Sequence, residues 1–148
     1  MLTAGSAGGT LLVATTNQGK LREILPMVEG LPFRLLTLAD IDAPAPPEET
    51  GRTFAANARL KAQYYAERTG LLTVAEDSGL EIDALDGAPG VESARFGGAG
   101  TTYHQKFTFI YDSLRARGLT SSPARFVCAL ALATPAPLVL FESAGVVD

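Results

Sequence analysis

Apolar, strand-like segments alternate with helical patterns in the first half of this chain, and this alternation limits the possible folds most strongly. A strand is predicted over residues 11–15, and apolar side chains at i, i+3, i+4 and i+7 spacing predict a helix over 21–28. A second strand is predicted over 32–38 and an alanine-rich helix over 54–68. This order is typical of a sheet with helices packed on its faces.

The second half of the chain predicts paired strands. Third and fourth strands are predicted over 71–76 and 80–85, separated by a turn at Asp77-Ser78-Gly79. A glycine-rich loop follows over 86–100, and a helix then ends near Gly118. Two more strands are predicted over 124–134 and 138–147, with the turn Pro135-Ala136-Pro137 between them. We therefore predict an α/β fold with a mixed twisted sheet and flanking helices.

Length and composition indicate one globular domain. The 148 residues suffice for a single core, which we place over 11–148 behind a flexible leader over 1–10. Pro26 falls inside the first predicted helix and predicts a kink or a 3₁₀ turn there. The acidic, proline-rich segment 40–53 is expected to form an irregular loop.

Charge and cysteine content exclude some classes of function. A net charge of −4 argues against binding to a nucleic-acid backbone. Cys128 is the single cysteine, which fits a reducing compartment, and its apolar neighbours predict a core residue rather than a nucleophile. The sequence shows no signal-peptide pattern and no apolar run of about 18 residues, so no membrane partner is expected. We expect a cytoplasmic protein.

Small polar residues follow the first predicted strand and end in a lysine. They are Thr15, Thr16, Asn17, Gln18, Gly19 and Lys20. One interpretation is a turn and a helix cap. The other is an anion-binding loop, in which backbone N–H groups and an ammonium converge at a helix N-terminus. The segment departs from the Walker phosphate-binding pattern, because Ala14 and Leu21 stand where that pattern requires glycine and serine or threonine.

Acidic residues form two adjacent pairs. Glu76 and Asp77 stand at the predicted end of a buried strand, and burial of neighbouring carboxylates is unfavourable unless a cation or hydrogen bonds compensate. Glu48 and Glu49 lie in the proline-rich loop. Together these acids predict a set of oxygen ligands for Mg²⁺. The alternative is that the loop acids are solvated and that Asp77 serves the turn.

Other polar residues are candidates for ligand contact. Asn57 and Lys61 share one helical face, where they either line a cleft or extend past an apolar stripe into solvent. Arg95 offers a planar fork of donors for phosphate, although a flexible surface loop is the ordinary alternative. We interpret the remaining aromatic and histidine residues as packing or surface positions: Tyr64, Tyr65, Tyr103 and His104.

Four ordered motifs give the chain a resemblance to a known family. In chain order they are Ala14-Thr15 with Asn17 and Lys20; Glu49-Thr50-Gly51, Thr53-Phe54, Asn57-Ala58 and Lys61-Ala62; Asp77-Ser78-Gly79-Leu80; and Gly87-Ala88-Pro89-Gly90 with Ser93-Ala94-Arg95-Phe96. From residue 11 onward the sequence resembles the Ham1 family of inosine/xanthosine triphosphate pyrophosphatases. The resemblance implies Mg²⁺-dependent hydrolysis of ITP, dITP and XTP to the monophosphate and pyrophosphate. It also implies a homodimer whose subunits have two lobes around a central cleft.

The resemblance assigns roles to the candidate residues. The 15–20 loop binds the triphosphate, and Lys61 and Asn57 face the phosphates. Asp77 is the proton acceptor and a metal ligand. Glu48 is the other metal ligand, with Glu49 not separable from it and Glu76 in support, while Ser78 contacts the substrate.

The sequence departs from the family pattern in two respects. Glu92 stands where an aromatic residue is common, and two base-binding segments of the family are not present. We expect the C-terminal part of the fold to be missing, and either the sequence is truncated or base discrimination has been lost. Two alternatives stay open: a non-catalytic nucleotide-binding fragment, and a Maf-like pyrophosphatase that acts on other modified or pyrimidine nucleotides.

Overall fold

A computed structural model describes residues 9–94, 96–98, 100–136 and 138–148. Residues 1–8 of the predicted leader lie outside these ranges, whereas Thr10 already belongs to the first strand. Within the described chain, no helix is long and apolar enough to cross a membrane.

The described strands form one mixed sheet. They are β1 (Thr10–Val13), β2 (Arg34–Thr37), β3 (Leu72–Ile82), β4 (Ala124–Thr134) and β5 (Leu138–Val147), in the order β2-β1-β3-β4-β5. β1 pairs in parallel with β2 and β3, and the β3–β4 and β4–β5 pairs are antiparallel. This arrangement confirms the predicted mixed α/β fold.

Three α-helices accompany the sheet in the described residues: α1 (Gln18–Val28), α2 (Phe54–Thr69) and α3 (Tyr103–Ala116). α2 ends as predicted, because Gly70 adopts the left-handed conformation with φ of 71°. Of the kink or 3₁₀ turn predicted at Pro26, the 3₁₀ turn was wrong, because α1 is α-helical as far as Val28, and the kink stays a prediction. Pro26 lies in the last turn of α1, where the missing N–H bond disturbs little of the helix.

The prediction of two strands separated by a turn at Asp77-Ser78-Gly79 was also wrong. β3 runs unbroken through these residues, and β4 pairs with it from Thr73↔Ala133 to Ile82↔Ala124. The long antiparallel ladder satisfies the backbone groups that a turn would otherwise leave unpaired. Since side chains alternate along a strand, Glu76 and Asp77 point to opposite faces of the sheet.

Gly79 is required by a close contact with the glycine-rich segment. A Cβ atom at position 79 would lie 2.3 Å from Ser93 Oγ and 2.9 Å from the Gly90 carbonyl oxygen. Ser93 Oγ accepts a hydrogen bond from the Leu80 N–H at 3.0 Å and donates to the Gly90 carbonyl at 2.5 Å. The 3₁₀ turn Gly90–Glu92 is thereby held against β3.

We expect Gly79→Ala to displace this turn and to lower the free energy of unfolding by about 1–3 kcal/mol, the usual cost of overpacking. Urea unfolding measures the change. Gly145→Ala is the matched control, since a Cβ atom at that strand position meets no other described atom within 4 Å. Equal losses in the two variants would contradict the steric explanation.

The core lies mainly between α2 and the sheet. α2 contributes Phe54, Ala58, Ala62 and Tyr65, and β4 presents Ala129, Ala131 and Ala133 to the same cluster. The small side chains allow the helix to approach the sheet closely. A second cluster joins α3 to the end of β3 through Ile82, Leu85, Ile110 and Leu114. α3 therefore stands beside the part of β3 that extends beyond β1.

Candidate active site

The candidate site lies where β1 ends and β3 continues. The Ala14 N–H donates to the Val74 carbonyl at 2.9 Å, and β3 then runs on to Ile82 beyond its pairing with β1. After β1 the chain crosses to β2, which pairs with one edge of β1. β3 pairs with the other edge of β1 and continues the sheet toward β4. Open α/β sheets characteristically bind ligands in a crevice at such a point.

The polar loop after β1 caps α1. Asn17 is the N-cap, and its Oδ1 accepts from the Lys20 N–H at 3.1 Å. Thr15 Oγ1 accepts from the Asn17 N–H at 3.1 Å. The helix-cap interpretation is therefore confirmed for Asn17. It does not compete with anion binding, because Thr16, Asn17 and Gln18 are exposed at the positive end of the helix.

The Lys20 side chain forms an ion pair with Glu76. Lys20 Nζ lies 2.8 Å from Glu76 Oε1, a contact without hydrogen-bond geometry, and Glu76 is only 4% exposed. Cys128 Sγ donates to Glu76 Oε2 at 3.6 Å. Burial, and then the negative charge of Glu76, raise the pKa of the Cys128 thiol to about 11, so the thiol is protonated at neutral pH. Cys128 is half-buried and borders the site rather than lying in the core.

A second ion-pair cluster lies on the other face of β3. Lys61 Nζ is 3.0 Å from Glu49 Oε1 and 3.8 Å from Asp77 Oδ1. Asp77 is 6% exposed, and its Oδ2 has no hydrogen-bond partner among the described residues. Burial raises the pKa of Asp77, the Lys61 charge opposes this shift, and Glu49 adds to it. A bound cation or a proton would stabilise a buried carboxylate whose oxygen has no hydrogen-bond partner.

Asn57 shapes this second cluster. Its side chain is fully buried, its Oδ1 accepts from the Gly51 N–H at 2.7 Å, and its Nδ2 donates to the Gly51 carbonyl at 3.3 Å. The nearby Asn57 amide also lowers the pKa of the Asp77 carboxyl, against the larger effect of burial. Phosphate contact by Asn57 stays a prediction, and the observed contacts give it a part in holding the 49–51 loop beside Asp77.

Asp77→Asn is expected to stabilise the metal-free protein, and more so at pH 7 than at pH 4. The raised pKa means that the folded state holds this proton more tightly than the unfolded state does. Ionised Asp77 therefore lowers the free energy of unfolding of the unaltered protein. This loss is absent below the ordinary pKa of 3.8, grows as pH rises through the raised pKa of the folded state, and is complete above it.

Urea unfolding in EDTA at the two pH values measures this difference. The control is Asp112→Asn, an exposed acid on α3, for which the change at both pH values should stay within about 0.5 kcal/mol. An Asp77→Asn stability gain that is the same at pH 4 and pH 7 would refute the desolvation explanation.

The acidic residues are not gathered into one cage. No three His, Cys, Asp or Glu side chains in the described ranges are grouped so that they could hold a metal ion together. Glu48 is exposed next to Glu49 in the loop, and Glu76 contacts Lys20 and Cys128 instead. Ser78 is partly exposed and Gly19 lies in the first turn of α1. Arg95 lies outside the described residues.

A cavity of about 340 Å³ opens beside Lys20. Asn17, Lys20 and Ser78 line one part of it, and Phe96, Tyr103, Lys106, Phe107, Ile110 and Phe126 line the rest. The sequence interpretation placed Tyr103 among packing or surface residues, used Phe107 only as an apolar position of the predicted helix, and assigned no ligand contact to Phe107 or Phe126. The spacing of residues 103, 106, 107 and 110 marks one face of α3 and was the available signal.

Comparisons with known proteins agree on one family. The model of the Ham1 family matches residues 11–147. A dITP/XTP pyrophosphatase from Geobacter sulfurreducens is 45% identical over 84% of this chain and 63% of its own length. One from Zymomonas mobilis is 41% identical over 86% of this chain and 61% of its own length.

The chain thus spans about three fifths of these relatives. The solved structure of a HAM1 protein from Coxiella burnetii superposes with a TM-score of 0.83 at 34% identity. That superposition covers 93% of this chain and 70% of the solved one.

Proposed function

Because this chain belongs to the Ham1 family, we propose that it hydrolyses non-canonical purine nucleoside triphosphates such as dITP, XTP and ITP to the monophosphate and pyrophosphate. One observation carries the proposal: Asp77 is a buried carboxylate with an unpartnered Oδ2, and lysines from two different helices lie at this part of β3. The relatives named dITP/XTP pyrophosphatase support the choice of substrate.

Asp77 is the proposed proton acceptor. Water adds to the α-phosphorus, the bond from that phosphorus to the bridging oxygen breaks, and its electron pair leaves with pyrophosphate. Asp77 takes the proton that the water loses. Its raised pKa suits this role, because a base is most effective when its pKa lies closer to the working pH. Since phosphoryl transfer depends on positioning and charge stabilisation, no covalent nucleophile is needed.

Lys20 and Lys61 are proposed to stabilise the charge of the polyphosphate. Each ammonium is paired with one glutamate in the described structure, Lys20 with Glu76 and Lys61 with Glu49. These pairs fix the positions of the two ammonium groups before a ligand binds. The loop residues Thr15, Thr16, Asn17, Gln18 and Gly19, together with Ser78 and Arg95, are proposed to contact the substrate.

The residues present fit Mg²⁺, which proteins commonly hold through one or two carboxylates together with substrate phosphates. Asp77 offers a free Oδ2, and Glu49 or its neighbour Glu48 would supply the second carboxylate. Glu76 is engaged by Lys20 and is proposed only in support. When bound, the ion would neutralise phosphate charge.

Pyrophosphate release in the presence of Mg²⁺ tests the function. We expect faster release from dITP and XTP than from dATP and dGTP. Binding of dITP without turnover would favour the non-catalytic nucleotide-binding alternative, and faster turnover of pyrimidine triphosphates would favour the Maf-like one. Either result would overturn the proposed activity.

Assembly and location are proposals as well. The family resemblance supports a homodimer, which sedimentation equilibrium tests directly. The single cysteine, free in the structure, supports a cytoplasmic protein.

A further inference from the structure

Three aromatic side chains with large exposed surfaces border the cavity beside Lys20. Tyr103 and Phe107 come from α3 and Phe126 from β4. They are 77%, 50% and 50% exposed, respectively. Packing in the core does not account for them, because the α3 core contacts are made by Ile110 and Leu114. We call these three residues the aromatic ledge.

Local contacts hold the ledge in place. Tyr103 and Phe107 stand one helical turn apart, with ring centroids 6.5 Å apart and an interplanar angle of 28°. Thr102 and Gln105 cap the start of α3 reciprocally. Lys106 Nζ donates to the carbonyls of Ser93 and Ala94, both at 3.0 Å. The helix face that carries the two rings is therefore anchored to the glycine-rich segment. That segment packs closely against β3 because residue 79 is a glycine.

The cavity combines this apolar wall with a polar part. Asn17, Lys20 and Ser78 line the same space as the ledge. A ligand that fills it would carry negative charge near Lys20 and a flat apolar group near the rings. The cavity volume of about 340 Å³ lies within the range of small-molecule sites. A nucleotide has both features, and the flat group is its base.

We propose that the aromatic ledge stacks against the purine base of the bound nucleotide, an inference that rests on the proposed function. Aromatic rings bind the π-face of any base, so the ledge supplies affinity for the nucleoside rather than selection among bases. Lys20 and its loop hold the other end of the ligand. Tyr103 and Phe107 accordingly bind the base through their apolar rings and carry no charged catalytic group.

Binding of two probes to the full chain tests the ledge. The first is the α,β-methylene analogue of dITP, in which the scissile bond is blocked, and the second is inorganic tripolyphosphate, which has no base. Calorimetry with Mg²⁺ is performed on the unaltered protein, on Tyr103→Leu, Phe107→Leu and the double variant, and on Tyr111→Leu. Tyr111 is the matched control, because it is an exposed tyrosine of α3 that lines a different hollow.

The double variant should lose about tenfold or more in affinity for the nucleotide analogue, which corresponds to the usual strength of one stacked base. Its affinity for tripolyphosphate, and both affinities of Tyr111→Leu, should stay within about twofold of the unaltered protein. Thermal melting of each variant confirms that the exposed substitutions leave the fold intact.

Two results would overturn the ledge alone. The first is unchanged nucleotide affinity in the double variant while both probes bind the unaltered protein. The second is an equal loss for nucleotide and tripolyphosphate, which would show a general disturbance of the site. If the unaltered protein binds neither probe, the proposed function fails and the ledge fails with it.

Discussion

Asp77→Asn is expected to lower kcat for pyrophosphate release from dITP by about 10³-fold, within the range that a positioned general base contributes. The amide cannot accept the proton of the attacking water, and it is a weaker ligand for Mg²⁺. Since the substitution should also stabilise the metal-free protein at pH 7, unfolding cannot explain the loss. Single-turnover measurements at saturating dITP separate this effect from weaker substrate binding.

The matched control for this experiment is Glu81→Gln. Glu81 lies on the same strand as Asp77, but its carboxylate faces Arg125, at 3.9 Å, at the far end of β3. The rate of that variant should stay within about twofold of the unaltered protein. A rate for Asp77→Asn that is also within about tenfold would show that another group accepts the proton.

Lys20→Met is expected to impair both stability and turnover. It leaves the buried Glu76 carboxylate without its cation, which we expect to cost about 2–3 kcal/mol of unfolding free energy. This value lies below that of a fully buried pair because the Lys20 side chain is 24% exposed. Turnover should fall by about 10²-fold, since one ammonium near the polyphosphate is lost.

A double variant separates these two effects. Lys20→Met combined with Glu76→Gln removes the unpaired charge, so most of the stability should return while turnover stays low. Arg59→Met is the surface comparison, because its partner Glu142 and Arg59 itself are both more than a third exposed. A stability loss in Lys20→Met no larger than in Arg59→Met would show that Glu76 does not need its cation.

The sequence predicted the sheet and its helices wherever local signals agreed with the tertiary structure. The apolar periodicity located α1, the alanine-rich composition located α2, and Gly70 marked the end of α2. The turn predicted from the composition of Asp77-Ser78-Gly79 was wrong, because these residues lie inside an unbroken strand. Pairing with β4, which begins some forty residues later in the chain, overrode the local preference.

The candidate site was predicted in its residue types but not in its arrangement. Local sequence could not show that Lys20 would pair with Glu76, because that contact depends on β1 lying beside β3. Nor could it assign Lys61 to Glu49, since the irregular loop has no periodicity. The aromatic ledge was missed because its exposed rings, two on α3 and one on β4, resemble ordinary surface positions until they are placed beside Lys20.

The unbroken course of β3 has a consequence for how this protein tolerates insertions and deletions. Glu76 and Asp77 are neighbours in the chain, yet they meet lysines from different helices on the two sides of the sheet. Loss of a single residue ahead of them in β3 would exchange the sides to which the acids point. Each lysine would then face the wrong carboxylate. A one-residue deletion should therefore be far more damaging in this part of β3 than in the loops that connect the strands.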